Sequence, residues 1–154
     1  MDVVSITRQV IDAPSPAMLG YGPYEPHGVT REDGMDEVII GVVAVLFGGM
    51  GVYGLIAPAA LLAPFGTLVR SADGRNEVRA VYGGYGVAVA LTLVLALLDD
   101  GLRAGLVTAV ALALAGMAAG RIISFAAERP AGFFPTVFYL LVEAALAAAL
   151  ATAR

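Results

Sequence analysis

Arg121 and Glu143 each lie inside a run of apolar residues long enough to cross a lipid bilayer. A charge at the bilayer centre costs about 2.5–3.5 kcal/mol on insertion scales, so such residues face a partner or a wet cavity. Arg79, Tyr82 and Tyr139 are spaced to reach the same region. Two guanidiniums, one carboxylate and two phenols in a low-dielectric layer admit three chemistries. They can neutralise one another and fix helix register. They can hold a substrate, a lipid headgroup or a quinone. Or Glu143 can pass protons, although a relay needs further acids or His along its path and none occurs deeper in the spans.

Depth decides which of these residues can meet. Arg121 precedes the end of its apolar segment at Ala127 by six residues, roughly 9 Å at 1.5 Å per residue. Glu143 follows Pro135 by eight residues, roughly 12 Å from the same membrane side. Tyr82 is one turn deeper than Arg79, and Tyr139 is one turn from Glu143 on the same face. Arg79, Tyr82, Arg121, Tyr139 and Glu143 are therefore expected in one polar layer, with Asn76 and Glu77 supporting it at the helix entrance. Arg121 and Glu143 are the expected pair.

Four apolar segments must position this layer: about Val38–Ala57, Val78–Leu98, Leu102–Ala127 and Pro135–Ala153. Each approaches the roughly 20 residues that a 30 Å hydrocarbon core demands, and spans of this length are helices. Short connections imply an all-α, up-down-up-down four-helix transmembrane bundle over residues 36–154. The composition agrees. Apolar residues make up 59% of the chain and charged residues 14%, far from the soluble norm of about 50% and 25%. Mean hydropathy is +0.84. The net charge of −4 and the lack of a basic cluster exclude nucleic acid as an expected partner. With no Cys, there are no disulfides or thiolate metal sites. No metal or cofactor is expected.

Small residues recur where membrane helices pack. Gly116, Gly120 and Ser124 form a ladder on the third segment. Gly83, Gly86 and Ala90 line the second, and Gly48, Gly51 and Gly54 thin the first. Packing within one chain is the favoured role for all three sets, ahead of self-association. Between the first two spans, Ala59–Phe65 is apolar but too short to cross, and is expected to lie along the interface. Phe133 and Phe134 beside Pro135 read as interfacial anchors.

Residues 1–35 are of another kind. They are acidic and Pro-rich, with Pro14, Pro16, Pro23 and Pro26, and cannot build a core alone. No secretory signal is evident in them. His27, in Pro26-His27-Gly28, reads as a solvated turn residue. Asp99-Asp100 reads as a solvated turn, and the glycines at 83, 84 and 86 follow no strand, so a nucleotide loop is not expected. Arg70, Arg75, Arg79 and Arg129 flank one membrane side, against Arg31, Arg103 and Arg154 on the other. That narrow margin places the first group in the cytoplasm and both termini in the periplasm.

The string Asn76-Glu77-Val78-Arg79-Ala80-Val81-Tyr82-Gly83-Gly84, the Gly120-Arg121-Ile122-Ile123-Ser124 string and the Pro-rich hairpin before a Glu-bearing last helix resemble a bacterial family of small four-helix membrane proteins, known as a domain of unknown function. The resemblance covers about residues 38–153. It implies that Asn76, Glu77, Arg79, Tyr82, Gly83, Gly84, Gly120 and Arg121 are the family's patterned positions. A looser similarity, of topology alone, exists to DoxX-like four-helix proteins, some linked to quinone or redox chemistry.

The expected role is a non-catalytic accessory subunit of a larger complex in the bacterial inner membrane. Its neighbours would be other membrane subunits, contacted partly through residues 1–35, and lipid. The alternative is a small-molecule, lipid or quinone binder using Arg79, Arg121 and Glu143. A transporter is disfavoured by the lack of an internal repeat.

Overall fold

The computed structural model describes residues 31–153, and every element among them is helical. Four helices are long and apolar enough to cross a membrane, so the chain is a multi-pass membrane protein. Helix α1 is Arg31–Ile56. A short helix, α2, Pro58–Leu62, and a 3-10 turn, Ala63–Phe65, follow it. Gly66 then reverses the chain at a φ of 70°, a conformation that only glycine adopts freely. Helix α3 is Ala72–Leu98, α4 is Asp100–Ala127, and α5 is Phe138–Thr152, preceded by a π-type turn at Phe133–Val137. The interfacial segment thus folds as two short helical pieces. The Pro-rich tail and His27 lie outside the described residues.

Polar starts extend the helices past their apolar cores. Helix α1 begins at Arg31, inside the stretch read from sequence as tail, and α3 begins at Ala72 instead of Val78. Ser71 explains the latter: its hydroxyl accepts from the Gly74 amide at 2.9 Å, satisfying a donor that a helix N-terminus leaves free. Asp99 does the same for α4. Its carboxylate accepts from the Gly101 and Leu102 amides at 2.9 and 3.3 Å. Asp99 is thus a cap, and the one residue between α3 and α4, where a solvated turn was expected.

The bundle has two unlike halves. Near the N-terminus of α1, Ile40, Val43, Leu93, Val107 and Leu150 are almost wholly enclosed, with Phe47, Val89, Val110 and Leu114 around them. Toward the other membrane side side chains give way to glycine. A Cβ on Gly51 would lie 2.6 Å from the Val87 amide nitrogen, and one on Gly86 would lie 2.9 Å from the Gly51 Cα. Gly54 and Gly83 are comparably close, so α1 and α3 cross backbone to backbone. At this crossing α3 widens into a π-helical stretch, Arg79–Gly84, in which the Tyr85 amide reaches back to the Ala80 carbonyl.

Helix α4 packs differently from its sequence reading. Among the described residues, nothing lies within 4 Å of where a Cβ on Gly116 or Gly120 would stand, and both they and Ser124 are exposed. The packed face is Val107, Val110, Ala111, Leu114 and Ala118. Successive residues turn by about 100° around a helix, so a rotation that points Arg121 inward carries Gly120 off the interface. Burying a charge without its partner costs more than losing a close glycine contact, and the charge sets the rotation.

Candidate functional site

Helices α4 and α5 bring Arg121 against Glu143. The guanidinium donates from Nε to Oε2 and from Nη2 to Oε1, both at 2.8 Å, which is the two-pronged geometry that planar guanidinium and carboxylate groups share. Among the described residues Glu143 is the one buried charged residue, with 6% of its side chain exposed, while 23% of the Arg121 side chain is exposed. Buried charges of this kind persist in lipid only as satisfied pairs.

Aromatic rings cover the exposed edge of the pair. The Arg121 guanidinium carbon lies 5.6 Å from the Tyr139 ring centre and 6.0 Å from that of Phe65. Those two rings stack on each other at 5.5 Å. Phe134 and Phe138 extend the cluster, with centroids 6.3 and 5.4 Å from Tyr139. A cation over an aromatic face gains about 0.5–2 kcal/mol, more when water is excluded. Phe65 comes from the 3-10 turn after α2, so the interfacial segment folds back over a charge on α4. Sequence reading missed Phe65 because no local signal ties it to a residue so distant in the chain.

Of the rest of the anticipated layer, Tyr82 lies within electrostatic reach of Arg121, whereas Arg79 is engaged elsewhere. Arg79 donates from Nε to the Leu55 carbonyl at 3.0 Å, closing the C-terminal turn of α1, whose last carbonyls have no partner within the helix. Arg103 repeats the device at the opposite membrane side. It donates to the Ala96 carbonyl at 3.2 Å, near the end of α3, and pairs with Asp100 at 2.8 Å. In an apolar medium an unsatisfied carbonyl is costly, and both arginines remove one. Tyr82, together with Glu77, also lines a pocket of about 430 Å³ between the 67–71 loop and the start of α3. Asn76 is exposed at the helix entrance.

Chemically, the Arg121–Glu143 site is a closed ion pair. Both carboxylate oxygens are engaged, and a guanidinium does not give up its proton in proteins. Among the described residues no group of three His, Cys, Asp or Glu side chains could hold a metal ion, and no buried side-chain polar atom lacks a partner.

A family model described as a domain of unknown function (DUF4345) matches residues 35–153, nearly the whole helical region. No curated protein and no solved structure matches the chain.

Proposed function

We propose that this chain, which belongs to the DUF4345 family, is a non-catalytic accessory subunit of a larger complex in the bacterial inner membrane. The observation that carries this is the outward face of α4. Gly105, Gly116 and Gly120 meet no neighbour among the described residues, and Ser124 continues the same face. Glycine gains nothing from contact with lipid tails, whereas it lets a neighbouring helix approach closely. The closed Arg121–Glu143 pair supports the same role, because its chemistry is spent within the fold. A small molecule or quinone in that layer would have to displace two 2.8 Å charge-assisted hydrogen bonds. The arginines at 70, 75, 79 and 129 favour the cytoplasmic side for the loop between α1 and α3, with both termini periplasmic.

The test is photo-crosslinking in native membranes from a reactive residue at Leu112, one turn from Gly116 and 68% exposed. A discrete adduct that vanishes in Gly116→Leu/Gly120→Leu, with the variant's own thermal stability unchanged, supports an assembly role. Recovery of nothing but lone, uncrosslinked chain from native membranes in mild detergent overturns it.

A further inference from the structure

The pocket beside Tyr82 straddles the level at which headgroups meet acyl chains. Helix α3 has 27 residues, about 40 Å at 1.5 Å per residue, which exceeds the roughly 30 Å hydrocarbon core. Leu98 is followed at once by Asp99 and Asp100, so the excess lies at the start of α3: its first turns reach the headgroups, whereas Val81 and Tyr82 lie about one turn deeper than Glu77.

The lining has both characters: Thr67, Arg70 and Glu77 are polar, while Leu68, Val78 and Val81 give it an apolar floor. Leu68 is 71% exposed, an unfavourable position in water and a favourable one against an acyl chain. Arg70 and Glu77 have no side-chain partner among the described residues. The Arg70 carbonyl accepts from Arg75 at 3.0 Å, which fixes the loop but leaves the Arg70 guanidinium unengaged.

From one unpaired cation and one unpaired anion on the rim of an apolar-floored pocket, we infer a binding site for a zwitterionic phospholipid with a primary ammonium headgroup. The phosphate faces Arg70 and the Ser71 hydroxyl, the ammonium faces Glu77, and an acyl chain runs over Leu68, Val78 and Val81. A guanidinium suits phosphate oxygens, and a primary ammonium donates N–H bonds to a carboxylate as a quaternary one cannot. An anionic headgroup would leave Glu77 opposed by like charge.

The test uses the full-length protein in nanodiscs containing equal parts phosphatidylethanolamine, phosphatidylcholine and phosphatidylglycerol, with retained lipid counted by native mass spectrometry. Phosphatidylethanolamine is expected to be retained several-fold over both others. Glu77→Gln should abolish its advantage over phosphatidylcholine. Arg70→Gln should weaken retention of both by about tenfold, the loss of one charge-assisted hydrogen bond. Val81→Trp should fill the floor and expel lipid with both charges in place. Soluble glycerophosphoethanolamine in excess should not displace the lipid, because it lacks the chains the floor receives. Equal retention of the three lipids, a preference for phosphatidylglycerol, a Glu77→Gln variant that keeps its selectivity, or displacement by the soluble headgroup would each overturn the assignment.

Discussion

Removing the Glu143 carboxylate should be the most damaging single change in the bundle. In Glu143→Ala, Arg121 loses two hydrogen bonds of 2.8 Å and its only counter-charge among the described residues, while Phe65 and Tyr139 still hold it in place. Breaking a buried pair costs about 3–5 kcal/mol, because the surviving charge is left without compensation. Arg121 is not fully enclosed, with 23% of its side chain exposed, and a long side chain can bend toward the headgroups. The lower end of that range, about 3 kcal/mol, is therefore expected. For a chain of this size it corresponds to a fall in Tm of roughly 6–12 °C. Arg121→Met/Glu143→Leu, which removes both charges and fills their volume, should return to near wild-type stability, as buried ion pairs often break even against apolar replacements. The assay is thermal unfolding in one detergent, with Arg121→Met, Glu143→Leu and the double variant forming a cycle. A coupling below about 0.5 kcal/mol would refute the pairing as an energetic feature, since contacting residues should not act independently.

Gly51→Ala and Gly86→Ala should each destabilise by about 1–3 kcal/mol in the same assay, since the added methyl meets backbone, whereas Gly116→Ala should be neutral within about 0.5 kcal/mol. Asp99→Ala, which removes the cap of α4, should cost about 1 kcal/mol and speed amide exchange at Gly101 and Leu102. Arg79→Ala frees the Leu55 carbonyl and should increase amide exchange at Ala57 and Leu61, the two amides at the joint between α1 and α2, with little change in Arg121. Because the chain has no Cys, single-cysteine labelling reads its orientation directly. An impermeant maleimide should label Asp100→Cys in intact cells and spare Thr67→Cys until the membrane is opened, and the reverse pattern would invert the proposed topology.

What could be read without coordinates followed from quantities that are local along the chain. Hydropathy located the spans because lipid forces every backbone group into a helix, leaving length and composition to identify them. Rise per residue is fixed, so counting from segment ends was enough to put Arg121 and Glu143 at one depth. Rotation about each helix axis was not legible in the same way. Arg79 shares a depth range with the pair, yet it turns to the Leu55 carbonyl. The π-helical stretch at Arg79–Gly84 contributes, because an extra residue per turn shifts the faces that a regular repeat assigns. Phe65 over Arg121 was out of reach for a different reason: the fold-back of a short apolar segment depends on tertiary contacts that leave no periodic trace.

The outward glycine face and the buried ion pair follow from a single constraint. Helix α4 carries small residues at 116, 120 and 124 and a charge at 121, and it cannot turn all of them toward its own bundle. Its neighbours inside the chain supply a carboxylate, so the charge takes the interior and the glycines are left to the membrane. Helices α1 and α3 face no such conflict. They close backbone to backbone at their glycines, with the Arg79 guanidinium bonded to the Leu55 carbonyl where α1 ends. Had self-packing been the sole requirement, exchanging Arg121 and Glu143 for apolar residues would free α4 to use its glycines inward at little energetic cost. Keeping the pair instead holds α4 in the orientation that, on the proposed role, would present Gly116 and Gly120 to a neighbouring helix. On that role the ion pair acts mainly to select which face of α4 remains open.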